Sequence, residues 1–331
     1  MAAPVAALIP RAAVTISSAV WPVPGVVGVH QPRHGRTFPG GIISYASIFR
    51  PGLFSGQAVV VTGGGSGIGR CTAHELAALG AAVALVGRNA ARLQAVQAEI
   101  LQAGGVCSIH VCDIREEPAV EQSVADILVR HGRIDGLVNN AGGQFPAPLE
   151  AISAKGWDAV VRTNLTGGFL MARECYRQWM RGQGGAIVNI LADMWLGMPG
   201  MGHSGAARAG MLNFSETAAL EWGPVRVNAV APGWIASSGM DRYPPEMAPM
   251  IRGLHRNVPL HRLGTESEVS AAIVFLLSPA AAFVSGACLR VDGAAPNAKR
   301  VAASVGTGSA NAAFDGFHLA SRPAVLGGGE G

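Results

Sequence analysis

Val59-Val60-Val61-Thr62-Gly63-Gly64-Gly65-Ser66-Gly67-Ile68-Gly69-Arg70 is the stretch on which the fold is decided. A β-branched run stops at a glycine cluster and passes directly into a helical pattern, Cys71 to Leu79. That order predicts a buried strand, a tight turn and a helix N-terminus. Gly63 and Gly67 free the backbone to turn, and Gly69 lets helix and strand approach closely. The N–H groups of the first helical turn, around Ser66, Gly67 and Ile68, then face an anion, and in this setting the expected anion is a dinucleotide pyrophosphate. A glycine-rich turn alone says little; the strand before it and the helix after it give it meaning.

Outward from this turn the chain is regular. Strands are expected at Gln57–Val61, Ala82–Val86, Val106–Val111, Gly136–Asn139, Ala186–Leu191, Arg226–Val230 and Cys288–Val291. Helices are expected at Ile68–Leu79, Ala90–Gln102, Glu116–Arg130, Ser153–Met180 with a break near Thr166-Gly167-Gly168, Gly205–Trp222 and Glu266–Leu277. Such alternation predicts an α/β fold, a Rossmann-type doubly wound sheet of seven parallel strands in a single domain. The domain is expected over residues 51–295, between an N-terminal extension (1–50) expected to be disordered and a Gly/Ala-rich C-terminal tail (296–331). Within that tail Phe314-Asp315-Gly316-Phe317-His318-Leu319 reads as a docking segment. The extension is proline-broken and carries Arg11, Arg33 and Arg36, while the first acid of the chain is Glu75. It fits an organellar transit peptide, a disordered tail or a start assigned too far upstream, and the last two together are favoured.

Composition narrows the function classes. The 331 residues are 49% hydrophobic and 14% charged, with a formal net charge of +4. No arginine cluster is interleaved with aromatics, which argues against a nucleic-acid partner. No uninterrupted apolar run is long enough to span a membrane. The mildly positive field suits an anionic cofactor or thioester. Cys71, Cys107, Cys112, Cys175 and Cys288 show neither a CxxC pair nor metal-ligand spacing with histidine, so reduced, buried thiols of a cytoplasmic protein are expected and no metal is.

The second strand ends Val86-Gly87-Arg88 with no carboxylate nearby. A carboxylate there accepts from the free ribose hydroxyl of NAD, whereas an arginine pairs with the 2′-phosphate of NADP, so NADP(H) is favoured over NAD(H). A solvated arginine at a helix start is the alternative. Asp113, after the third strand, is placed either to touch the adenine edge or to cap the next helix.

Thr62 to Gly69, Asn139-Asn140-Ala141-Gly142 and Pro232-Gly233 together resemble the short-chain dehydrogenase/reductase superfamily over about Gly52 to Gly293. The resemblance implies a strand order 3-2-1-4-5-6-7 and a homodimer or homotetramer. It places Asn140, Ala141 and Gly142 along the cofactor riboses and Pro232, Gly233 and Ile235 beside the nicotinamide. Asn140 to Phe145, Lys155-Gly156-Trp157, Thr163 to Gly167 and His203 to Gly210 are similar to the peroxisomal trans-2-enoyl-CoA reductase branch. Bacterial relatives assigned to citronellol/citronellal dehydrogenation are similar as well, including Ala192-Asp193-Met194-Trp195 and Gly316-Phe317-His318. The tail lacks the small-basic-Leu ending of a peroxisomal address.

The resemblance also exposes a departure. Most members use Ser, Tyr and Lys, with Tyr and Lys four residues apart on one helix face, and an upstream Asn. Aligned on Ala209-Gly210, this chain has Ser204 in place of the tyrosine and Arg208 in place of the lysine, and Asn164 alone remains. Reduction of a double bond conjugated to a thioester tolerates that loss, because it needs an oxyanion donor and a separate proton for the α-carbon. On this reading Arg208 meets the nicotinamide ribose, Asn164 orders a water, Ser204 donates to substrate, and His203 or Asp193 completes the proton path. The plain alternatives are that Ser204 caps a helix, His203 is a loop histidine and Asp193 pairs with an arginine. Ser237 to Leu263 is expected to form a substrate lid, with Met240, Met247, Met250 and Leu254 for an apolar chain and Arg242, Arg252 and Arg256 for phosphates.

The expected function is an NADP(H)-dependent reductase of the 2,3 double bond of a trans-2-enoyl-CoA. An NAD(P)-dependent dehydrogenase of a branched terpenoid alcohol or aldehyde is the alternative, and a non-catalytic NADP-binding protein is the third reading.

Overall fold

The computed structural model of the chain describes residues 44–297 and 311–326. Of the expected extension, residues 1–43 lie outside the described part, while Ser44 and Tyr45 are buried.

Strands β1 (Ala58–Thr62), β2 (Ala82–Gly87), β3 (Val106–Val111), β4 (Gly136–Asn139), β5 (Gly185–Ile190), β6 (Val225–Pro232) and β7 (Cys288–Val291) form one sheet in the order β3-β2-β1-β4-β5-β6-β7. Every pairing is parallel. The seven-stranded doubly wound fold and its strand order are as expected.

Successive side chains of a strand point to opposite faces, so the valine run of β1 feeds two cores. Val59 and Val61 join Leu76, Leu85, Val269 and Ile273 on one face. Val60 joins Val124, Ile127, Met171 and Ile187 on the other. Helices α1 (Gly67–Ala78), α2 (Ala90–Gln102) and α3 (Glu117–His131) follow the first three strands.

The long fourth helix, α4, differs from expectation. It runs Ala154–Val161, widens into a π turn at Arg162–Thr166, continues as Gly167–Cys175, widens again at Tyr176–Met180 and ends with Arg181–Gln183. The expected break is therefore a bulge in a continuous helix. Gly167 and Gly168 mark close packing, since a Cβ on either would collide with Ile114 or Met211 side-chain carbons at 2.6 and 2.5 Å. Helix α5 (Gly202–Glu221) begins three residues earlier than expected, α6 (Ala248–Gly253) is short, and α7 (Glu266–Leu277) has the expected bounds and a capping box from Thr265 and Glu268. Four cysteines are buried, but Cys288 is only half-buried on edge strand β7.

Phe314 to Leu319 pack where α1 meets α7. Thr265 Oγ1 donates to Phe314 O at 2.7 Å, Phe317 N donates to Ser267 Oγ at 3.2 Å, and the Phe317 ring stacks on Tyr45 with centroids 5.8 Å apart. Beneath them Glu75 is fully buried and accepts from Ser47 Oγ (2.7 Å) and Ser270 Oγ (2.5 Å). Burial pushes its carboxyl above the ordinary range against these donors. In the first turn of α7, burial also pushes Glu266 from 4.5 to about 7, with Asp315 adding to the rise and Arg70 opposing it.

A raised acid makes stability fall with pH. Between about 4.5 and about 7 the folded chain holds a proton at Glu266 that the unfolded chain releases, so stability declines through that window and stays lower above it. Glu266→Gln is expected to match the wild type near pH 4.5 and to exceed it at pH 8, read from urea unfolding midpoints at the two pH values.

Candidate active site

The site lies at the carboxyl end of the sheet, where β1 and β4 diverge to opposite connections. Thr62 ties their ends together: its Oγ1 accepts from Asn140 N and Ala141 N, both at 3.0 Å, and donates to Val138 O at 3.3 Å. Asn140 Nδ2 returns a bond to Thr62 O at 3.0 Å. Gly63 and Gly67 take positive φ of 67° and 58°, which side chains rarely adopt. A Cβ on Gly69 would lie 2.5 Å from Gly63 O, so this glycine permits the close approach of α1 to β1.

Ser66 precedes α1 in extended conformation with no side-chain cap bond, and the first turn of α1 holds no acid. Its N–H groups are therefore free for an anion. Two clefts open from this point. One, of ≈ 400 Å³, is lined by Gly63, Gly65, Ser66, Arg88, Arg92, Asp113, Arg115, Asn140, Ala141 and Gly142, among others. The other, of ≈ 420 Å³, is lined by Ser66, Gly67, Ile68, Asn140, Gly142, Arg208, Pro232, Gly233 and Ile235, among others. They share Ser66, Asn140 and Gly142, so the helix N-terminus sits between them. A dinucleotide has this form, two nucleosides on either side of a pyrophosphate, and the donors present fit it.

At the first cleft Arg88 and Arg92 are exposed and carry no ion pair among the described residues. Arg92 was not singled out from the sequence; the signal is its place in the first turn of α2, where its Cβ packs against Gly65 of the glycine turn. Asp113 does not cap α3, whose N-cap is Glu116. Its carboxylate is gripped by Arg115, 2.5 Å away, and that guanidinium holds it down at about 2.

At the second cleft the expected catalytic residues separate. Arg208 reaches the cleft floor. It donates to Ile190 O at 2.5 Å, its Nε is enclosed without a partner, and burial pulls its guanidinium down to about 10. No carboxylate pairs with it among the described residues. Asn164 is buried in the π turn and clasps Gly143, accepting from its N–H at 2.8 Å and donating to its carbonyl at 2.9 Å.

Ser204 lies inside the first turn of α5 and is no N-cap; the helix starts earlier and Met201 precedes it. Its fully buried Oγ accepts from Asn164 Nδ2 at 3.5 Å and donates to Gln144 Oε1 at 2.9 Å, so it faces the protein, not the cleft. His203 is equally buried, its ring edge-on to Phe145 at 4.4 Å, and does not line the cleft. Asp193 is also off the cleft; the charges acting on it are Arg290 and Asp292 at β7, and burial raises its carboxyl. Gln144 and Tyr243 were missed. Gln144 Nε2 donates to Tyr243 Oη at 2.8 Å, and both residues line the second cleft.

The lid is held from above by the tail. Met240, Ile251 and Leu254 form a buried apolar cluster with Tyr243, Val325 and Leu326 packed on it. Arg252 Nε donates to Val325 O at 2.8 Å, and Val325 N donates to Asp241 Oδ1 at 3.0 Å. Arg252 is thus tied to the tail, and Met250 is half exposed. Among the described residues no helix is long and apolar enough to cross a membrane.

Comparison with known proteins agrees with this architecture. The sequence model described as Enoyl-(Acyl carrier protein) reductase matches residues 63–294. A probable 2,4-dienoyl-CoA reductase [(2E)-enoyl-CoA-producing] of Bacillus subtilis is 37% identical over 242 residues, covering 72% of this chain and 95% of its own. The peroxisomal 2,4-dienoyl-CoA reductase [(3E)-enoyl-CoA-producing] of Rattus norvegicus is 36% identical over 255 residues, covering 75% and 87%. Among solved structures, the citronellol catabolism dehydrogenase AtuB of Pseudomonas aeruginosa PAO1 is 63% identical with a TM-score of 0.69, covering 76% of this chain and 99% of that one. With its parallel sheet, its glycine turn and these relatives, the chain belongs to the short-chain dehydrogenase/reductase family and is an oxidoreductase.

Proposed function

We propose that the protein is an NADPH-dependent reductase of the C2–C3 double bond of a trans-2-enoyl thioester. The observation that carries this reading is Arg208, a cation enclosed at the floor of the second cleft with no anionic partner among the described residues. Removing a charge from water without a partner costs on the order of several kcal/mol. Such a group is suited to a site where negative charge develops during reaction, as on the oxygen of a thioester enolate. The kinship with 2,4-dienoyl-CoA reductases supports the same chemistry.

When bound, the reduced nicotinamide supplies the hydride. Gly67, Ile68 and the open first turn of α1 hold the pyrophosphate, and Pro232, Gly233 and Ile235 bound the nicotinamide side of the cleft. Asn164, by clasping Gly143, fixes the loop that forms the opposite wall. Arg208 then orients either the ribose or the thioester oxygen. The NADPH preference rests on Arg88 and Arg92, two unpaired guanidinium groups in a cleft whose carboxylate, Asp113, is already neutralised by Arg115.

The 63% identity to AtuB supports a second reading, oxidation of a branched terpenoid alcohol, with Met240 and Ile235 lining the pocket for the alkyl chain.

Incubation with NADPH and trans-2-hexenoyl-CoA is expected to consume NADPH and yield the saturated thioester, identified by mass spectrometry. Citronellol-dependent formation of NADPH without any thioester reduction overturns the first reading in favour of the second; cofactor binding without turnover of either substrate overturns both. Arg208→Ala is expected to lower kcat by about 10²–10³-fold, the usual effect of losing one oxyanion donor. Arg88→Ala and Arg92→Ala are each expected to raise the KM for NADPH by about tenfold or more, as befits a lost charge-assisted bond, and to leave the KM for NADH unchanged.

A further inference from the structure

Reduction of the double bond leaves an enolate whose α-carbon needs a proton, and Ser204, His203 and Asp193 do not face the cleft. Among the residues that line it, two carry groups that ionise: Arg208 and Tyr243. Arg208 serves as the cation that holds the developing enolate charge, a role that requires it to keep its proton. The serine hydroxyls that also line the cleft, such as Ser237 and Ser238, are far weaker acids than a phenol.

We infer that Tyr243, carried on the lid, is the catalytic acid that protonates the α-carbon of the substrate; this role rests on the enoyl-thioester reading. The hydroxyl is positioned by a directed series of hydrogen bonds. Asn164 Nδ2 donates to Ser204 Oγ (3.5 Å), Ser204 Oγ donates to Gln144 Oε1 (2.9 Å), and Gln144 Nε2 donates to Tyr243 Oη (2.8 Å). Every donor in the series points toward Tyr243. The phenol oxygen therefore accepts, and its own proton is left for a ligand in the cleft. The ring is fixed from the other side by the Met240, Ile251 and Leu254 cluster.

The electron balance is simple. Bound NADPH would supply the hydride for the new Cβ–H bond, and the π pair of the double bond would pass into the enolate. That pair forms the Cα–H bond with the Tyr243 proton as the Oη–H bond breaks. The phenolate is stabilised by the Gln144 amide until water returns a proton. Gln144 lies on the β4–α4 loop and Tyr243 on the lid, so the acid is set by a contact between these two elements.

The test compares wild type with Tyr243→Phe on trans-2-hexenoyl-CoA in D₂O. Loss of a general acid costs about 10²–10⁴-fold. The expected result is a fall in kcat of about 100-fold or more, with the Kd values for NADPH and hexanoyl-CoA, measured by calorimetry, within twofold of wild type. Deuterium is expected on one face of the α-carbon in the wild-type product and on both faces in the residual product of the variant, as read by NMR. A Tyr243→Phe enzyme that keeps the wild-type kcat and facial selectivity overturns this role and leaves the reading of the reaction standing. Absence of thioester turnover by the wild type overturns the reading of the reaction and this role together.

Discussion

Everything at the reactive end of the molecule depends on one oxygen, Thr62 Oγ1, accepting two consecutive backbone N–H groups from Asn140 and Ala141. Parallel strands β1 and β4 turn to opposite sides of the sheet, and the amides of Asn140 and Ala141 that follow β4 turn to the Thr62 side chain. A threonine satisfies both amides at once and holds the strand ends at a fixed separation. Gly63 then has room to take its positive φ, Gly69 brings α1 against β1, and the free N–H groups of α1 are aimed across the gap. The two clefts are the consequence of that spacing.

The second determinant is a charge left unbalanced. Several arginines answer to a carboxylate: Arg70 to Glu99, Arg115 to Asp113, Arg262 to Glu268. Arg208 answers to a backbone carbonyl alone, and Arg88 and Arg92 to none among the described residues. Three cations without a carboxylate partner thus line the two clefts, at opposite ends of the space that the glycine turn divides. Charge placement and backbone geometry describe the same elongated, anion-carrying occupant.

Much of this was legible in the sequence because it is local. The valine run before the glycines, the strand Val106–Val111 and the helix Glu266–Leu277 each follow from their own residues, and all three lie within a residue of their expected bounds. Sequence proximity misled where side-chain direction mattered. Ser204, His203 and Asp193 are near Arg208 in the chain, but the early start of α5 turns the first two inward, and Asp193 faces β7. Near the break expected at Thr166-Gly167-Gly168 the helix instead continues through a π bulge, with Gly167 and Gly168 packed closely beside Ile114 and Met211, a contact no local pattern encodes. Gln144 and Tyr243 meet across 99 positions of sequence, which is why neither stood out.

The clamp of residues 324–326 on the lid has a consequence for how the protein comes into being. A chain emerges from its N-terminus, and domains form as their parts become available. The residues that line the cofactor clefts run no further than Tyr243, whereas Met240, Ile251 and Leu254 gain part of their cover from Val325 and Leu326. During synthesis the molecule therefore passes through a stage in which the dinucleotide site can be complete while the substrate lid still exposes its apolar underside. Residues made well after those that line the site thus decide how firmly its mouth is held.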